Sequence, residues 1–267
     1  MLRSLKDLES YTLSATDGDI GSVTNFLIDD KHWTVRYLVA KTGGFFGGRR
    51  VLISPISFRH ADWSTKSFHV QLTMEKVKDA PGIDSDQSVS RQHEKDLADY
   101  YSYPCYWGLA GIWGMGAYPA ALASGARGKA VTDRTVPPGG SHLRSVNEVR
   151  GYHVQGSDDE VGHIQDFIVD DTSWEVRYLV IDTSNWWFGT RVLVAPHWAS
   201  HVSWAERKVY FHMSRDAIRN SPEWKANAAI NREYEMRLYD YYGRPAYWDM
   251  PELPIAEKPP APTASTR

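Results

Sequence analysis

The chain writes one pattern twice. Displaced by 141 residues against itself, the sequence matches Arg3-Ser4 with Arg144-Ser145, Trp33 with Trp174, Trp63 with Trp204 and Trp107 with Trp248, without a gap. Tyr11/Tyr152, Gly21/Gly162, Phe26/Phe167, Asp29-Asp30/Asp170-Asp171, Pro55/Pro196, Pro81/Pro222 and Tyr100-Tyr101/Tyr241-Tyr242 fall in the same register. So many rare residues do not recur at one offset by chance. Residues 1–107 and 144–250 are therefore read as two copies of one unit. Two copies, with a period far above roughly 20 to 50 residues, exclude a solenoid or a propeller.

Each copy has room for a small core of its own, because the chain of 267 residues divides into units of about a hundred. Between them, residues 108–143 are dense in Gly, Ala and Pro and keep neither a 3.6 nor a 2.0 period, the mark of a linker. Ile112, Trp113, Met115 and Tyr118 are awkward in water, so this segment is expected to lie along one of the units; a mobile tether is the alternative. Residues 251–267 have the composition of a disordered tail.

Within a unit the periodicity is that of strands. In "WTVRYLVA", Trp33, Val35, Tyr37 and Val39 alternate with Thr34 and Arg36, predicting a half-buried strand; in its copy Glu175 and Arg177 are expected to face outward. "DGDIGSVTNFLIDD" supplies a turn, a strand and an acidic turn, and "RRVLISP" and "FHVQLT" add further strands. Short strands at such intervals predict a closed or nearly closed antiparallel barrel. "TMEKVKDAP" and "SRDAIRNSP" follow as one or two helical turns with hydroxyl N-caps. An amphipathic helix comes next, marked in the second copy by Ile230, Tyr234, Leu238 and Tyr241.

These residues resemble a known family. "DGDIGSVTNFLIDDKHWTVRYLVAKTGGFFGGRRVLISP" and "DDEVGHIQDFIVDDTSWEVRYLVIDTSNWWFGTRVLVAP" are similar to the PRC-barrel domain, with its DG-x-x-I/V-G-x-V strand, aromatic-V-R-Y-L-V strand, glycine-aromatic hairpin and V-L-x-P ending. "HEKDLADYYSYPCYW" and "NREYEMRLYDYYGRPAYW" resemble the helical extension of bacterial stand-alone members. The resemblance implies a mainly β fold with helical extensions, two tandem six-stranded SH3-like barrels related by duplication. It also implies a docking role. The reaction-centre H subunit uses the domain to cap a membrane complex, and the ribosome maturation factor uses it to support binding to a ribosomal protein. The membrane-spanning start of the one and the RNA-associated domain of the other have no counterpart in the pattern here, so the fold is what transfers. Two like surfaces in one chain resemble a homodimer fused into a monomer, for which an isologous contact between units is expected.

Candidate chemistry is sparse. His197 and His201 in "HWASH" stand four apart after a strand and Pro196, where one metal cannot take both, and Ile56 replaces His197 in the first copy; no metal is expected. Asp29-Asp30 and Asp170-Asp171 read as turn acids. "GGFFGG" lacks the ending of a phosphate-binding loop and its copy reads "SNWWFG". Cys105 faces Ala246, so no thiol is required, and no disulfide can form from a single cysteine. Arg36/Arg177 and Arg50/Arg191 are shared by the copies and are expected to pair with acids across strands. No cofactor and no enzymatic activity are expected.

The remaining candidates are aromatic. Phe45, Phe46, Trp186 and Trp187 sit at hairpin tips that cannot bury both sides of two rings; they close the barrel end, dock on the other unit or meet a partner. Tyr106, Trp107, Tyr247 and Trp248 end the helical extensions, either as a docking surface or folded back on a barrel. A net charge of −3 gives no footprint for nucleic acid. No apolar run is long enough to span a bilayer, and the charged "MLRSLKDLES" is unlike a signal peptide, so the expected address is the cytoplasm, with peripheral membrane association left open. The expected function is a non-catalytic module that binds or scaffolds another protein, alone or as a homo-oligomer. The alternative by analogy is an accessory of photosynthetic electron transfer, like the H subunit.

Overall fold

The computed structural model describes residues 1–43, 48–83, 89–107, 112–113, 118–119, 122, 142–183, 190–225 and 228–249. The first copy contributes β1 (Leu2–Ser4), α1 (Leu5–Leu8), β2 (Thr12–Ser14), β3 (Asp19–Asp29), β4 (Thr34–Thr42), β5 (Arg50–Ile53), β6 (Phe58–Asp62), β7 (Ser67–Val70), α2 (Met74–Lys78) and α3 (Arg91–Tyr101). The second contributes β8 (Leu143–Ser145), α4 (Val146–Val149), β9 (His153–Gln155), β10 (Glu160–Asp170), β11 (Val176–Asp182), β12 (Arg191–Val194), β13 (Ala199–Ser203), β14 (Lys208–Phe211), α5 (Arg215–Arg219) and α6 (Arg232–Tyr242).

Two seven-stranded sheets result, each with six strands of its own copy and one from the other. The first runs β5-β4-β3-β2-β7-β6 with β8 added on β3; the second runs β12-β11-β10-β9-β14-β13 with β1 added on β10. One ladder in each, β2 with β7 and β9 with β14, is parallel, a departure from the all-antiparallel expectation. It arises because the antiparallel β6–β7 and β13–β14 pairs bring their second strand alongside β2 and β9 running in the same direction. The long strands β3 and β10 coil through equivalent register shifts. Gly21 and Gly162 let the neighbouring strand approach: a Cβ on either would lie 2.0 Å from the carbonyl oxygen of Lys41 or Asp182.

The exchange is reciprocal. Leu2, Arg3 and Ser4 stand opposite Asp170, Val169 and Ile168, and Leu143, Arg144 and Ser145 stand opposite Asp29, Ile28 and Leu27. Ion pairs repeat the exchange, Arg3 with Asp171 and Arg144 with Asp30. Ser4 donates to Asp166, and Asn25 donates to Ser145 at 2.8 Å from the matching position. Glu9 and Arg150, which occupy the same place in the two copies, meet each other at 2.6 Å. Thr34 and Glu175, also equivalent, form a bridge between the sheets. These are the contacts of an internal twofold. β8 begins at Leu143, so the exchanged strand starts inside the stretch read from sequence as linker.

Trp33 and Trp174 were expected in strands. Both instead take left-handed backbone, φ 51° and 60°, uncommon for a bulky residue. What holds them there crosses the twofold: Val176 donates to the carbonyl of Trp33 at 2.7 Å and Val35 to that of Trp174 at 2.8 Å. The ring of Trp174 lies 5.1 Å from Phe58 and 5.9 Å from Phe68, in the first copy. The buried side chains of both copies accordingly form one connected cluster.

β4 also departs from expectation. Thr34 and Arg36 are buried rather than outward, because Thr34 meets Glu175 of the other copy and Arg36 lies under the rings of Tyr106 and Trp113. That covered face holds the candidate site.

Candidate functional site

Ser90 caps α3 by accepting from the His93 amide, which sets Arg91 and Glu94 one turn apart on the inward side. Their ends lie 3.0 Å apart, and the Tyr106 hydroxyl, returning after the helix, accepts from Arg91 at 2.7 Å and donates to Glu94. Beneath, Arg36 of β4 gives Nε and a terminal nitrogen to Asp29 at 3.2 and 3.0 Å, and its other terminal nitrogen to the carbonyl of Ile112. Two rings lie against the same guanidinium, Tyr106 at 3.9 Å and Trp113 at 4.9 Å. Trp113 is 1% exposed and donates through its indole nitrogen to the carbonyl of Ser173 in the other copy at 2.8 Å.

Burial pushes the Glu94 carboxyl up to about 7 against the pull of Arg91 and Tyr106. Burial acts on Asp29 too, but the His32 hydrogen bond and Arg36 together hold it well below the usual carboxylate range. The Tyr106 hydroxyl is raised by burial and by Glu94. A cavity of about 20 Å³ remains beside the cluster, lined by Tyr101, Cys105 and Trp107 among others. Tyr101 Oη and Trp107 Nε1 are buried there without a partner, polar edges for one water and no larger guest.

The second copy repeats the cluster with a different cover. Arg232 and Glu235 lie 3.1 Å apart, and Glu235 accepts from Tyr178 at 2.8 Å and Tyr247 at 3.0 Å. Arg177 carries the Tyr247 ring at 4.0 Å, and Arg232 carries Trp248 at 3.9 Å. Arg177 does not reach Asp170; Glu175, in the place of Thr34, takes it at 2.8 Å, and Arg177 Nε is left without a partner.

The residues expected at a site are dispersed by the structure. Tyr106 is 9% exposed and lies inside the unit, so its ring faces Arg36 rather than a partner. Trp107, Tyr247 and Trp248 are half-buried, packed on arginines with an edge outward. Phe45, Phe46, Trp186 and Trp187 lie outside the described residues. His201 stacks on Tyr210 at 4.3 Å and His197 meets Trp198 edge-on; among the described residues no three His, Cys, Asp or Glu side chains converge as a metal site. Asp29 and Asp170 do bond turn amides, but Asp29 also anchors Arg36, and Asp30 and Asp171 tie the copies together. Cross-strand pairing holds for Arg36 and Asp29. Arg177 instead pairs with Glu175 at the entry to its own strand. Asp182 stands opposite Arg191, but Lys41 stands opposite Arg50, where an acid was expected.

Arg91/Arg232 and Glu94/Glu235 were missed. Both pairs recur at the 141-residue offset, and that recurrence was the signal.

The PRC-barrel domain model matches the chain twice, over residues 3–67 and 142–216. The chain belongs to the PRC-barrel family. Both matches take in the exchanged strand and most of the sheet, including Arg36 and Arg177, while Arg91, Glu94 and Tyr106 and their counterparts Arg232, Glu235 and Tyr247 lie on the extensions beyond them. No curated protein matches the chain. Among the described residues no helix is long and apolar enough to cross a membrane.

Proposed function

We propose that this PRC-barrel protein is a non-catalytic cytoplasmic module that binds or scaffolds another protein. One observation carries the reading: five pairs of charged side chains at positions common to both copies close on one another or tie the copies together, Arg36–Asp29, Arg91–Glu94, Arg232–Glu235, Arg3–Asp171 and Arg144–Asp30. Groups held in this way stiffen a scaffold and leave its surface to make contacts. The half-buried rims of Trp107, Tyr247 and Trp248 are the surface on offer, aromatic and arginine-rich as interface cores are.

The test is affinity capture from the native cell with the intact chain and with Trp186→Ala/Trp187→Ala. A protein retained in stoichiometric amount by the first and lost by the second, at unchanged melting temperature, supports the reading. Capture that persists while the melting temperature falls makes the tip rings core residues, and no retained protein at all overturns the reading. Recovery in the cytosolic fraction checks the address.

A further inference from the structure

The twofold gives the Trp113 seat a counterpart. In the first copy the seat consists of Arg36 and Tyr106, with the carbonyl of Ser173 reaching over from the second. Exchanging the copies gives Arg177 and Tyr247 with the carbonyl of His32. The same fold that holds an Ile-Trp pair on one side therefore builds the same kind of place on the other.

That second place is open among the described residues. The Arg36 side chain is 0% exposed under its two rings, whereas Arg177 carries one ring and is 15% exposed. Arg91 is 7% exposed and its counterpart Arg232 is 51% exposed. His32, the counterpart of buried Ser173, has a side chain 54% exposed. Arg177 Nε, whose counterpart in Arg36 donates to Asp29, is buried and unpartnered, so the second guanidinium is held by fewer groups of the chain than the first.

Past the end of the second copy, the matching positions hold no tryptophan. At the 141-residue offset Ile112 becomes Leu253 and Trp113 becomes Pro254. Proline has neither a π-face for a guanidinium nor a side-chain N–H for a carbonyl. A ring supplied by another molecule fits that place.

We propose that the seat formed by Arg177, Tyr247 and the His32 carbonyl binds a segment of a partner protein that presents an apolar residue followed by tryptophan. The indole lies on the Arg177 guanidinium and donates to the second lone pair of the His32 carbonyl, which already accepts from Thr34 Oγ1 at 3.1 Å, and the carbonyl of the preceding residue accepts from the Arg177 terminal nitrogen that Glu175 does not hold. The proposal rests on the protein-binding function above and names the chemistry of its partner.

The probe is a fluorescently labelled peptide of residues 108–118, GLAGIWGMGAY, titrated with the full chain by anisotropy. Saturable binding at one site is expected. Replacing the peptide's tryptophan by alanine should weaken it by about tenfold or more, the loss of a desolvated cation–π contact and its hydrogen bond. Arg177→Lys, which keeps the charge but loses the planar fork, should weaken it similarly with the melting temperature held. Glu175→Thr, which restores the residue of the first copy and frees Arg177, should tighten it. Binding that is absent, indifferent to the tryptophan or indifferent to Arg177→Lys overturns the proposal. So does binding that appears only when residues 250–267 are removed, which makes the chain's own tail the occupant. Cellular capture that survives Arg177→Lys alongside a failed titration would sink the seat and leave the protein-binding function standing.

Discussion

Trp113→Ala tests whether the segment between the copies belongs to the folded core. The side chain is 1% exposed, lies on the buried Arg36 and donates to Ser173 across the twofold. Truncating a buried tryptophan costs about 3–5 kcal/mol, a figure that already includes the lost ring contact and leaves the Ser173 carbonyl unsatisfied. Against a domain stability of about 5–15 kcal/mol this is a third or more of the total. Urea unfolding followed by far-ultraviolet circular dichroism should show a large fall in the midpoint. Trp113→Phe keeps a ring and loses only the donor, so it should cost about 1 kcal/mol. A Trp113→Ala change within about 0.5 kcal/mol would place the residue on a mobile tether and refute the packing described here.

Glu9→Arg or Arg150→Glu alone should destabilise the chain by about 1 kcal/mol, since each sets like charges together at the partly exposed axis, and the double reversal should recover most of the loss. Recovery stays incomplete in chemical denaturation because Arg150 also faces Asp166, whereas an arginine at position 9 would face the neutral Asn25. Glu94, raised to about 7 in the folded chain from 4.5, binds more protons folded than unfolded between those values, so its contribution to stability falls as pH rises through that window. Glu94→Gln should remove up to about 3 kcal/mol of that decline, read as the difference between the two proteins' urea midpoints from pH 4.5 to 7.

The duplication, the strands and the helical extension were legible because they rest on local periodicity and on residues that recur at one offset. The strand exchange was not. Leu2–Ser4 has the same local pattern whether it pairs with β3 of its own copy or with β10 of the other, and only the three-dimensional closure decides. Arg36 was misplaced for a related reason: alternation assigns an arginine to solvent, and nothing within β4 reports that an extension whose helix starts 57 residues after the strand does will cover that face. Trp33 read as a strand residue because tryptophan favours strands, yet a left-handed turn held by the other copy's Val176 claimed it. Tyr106 and Trp107 were recognised as a cluster; that the first is inside and the second at the rim follows from Arg36 below, which the sequence put outside.

A fused pair can do what a homodimer cannot. On a true twofold, any residue at the axis faces itself, so Glu9 would meet Glu9 and the pairing would cost energy. Here the two copies have diverged at that position into Glu9 and Arg150, and at the neighbouring axis position into Thr34 and Glu175. The same freedom extends to the seats. A symmetric dimer must fill both or neither, whereas one covalent linker supplies one Trp113 and closes one seat. Glu175, where the first copy has Thr34, occupies Arg177 with an ion pair at 2.8 Å that the first copy does not make. The asymmetry between the seats thus comes from fusion itself: the linker occupies one side of the axis, and the copies are free to differ at the positions that face each other across it.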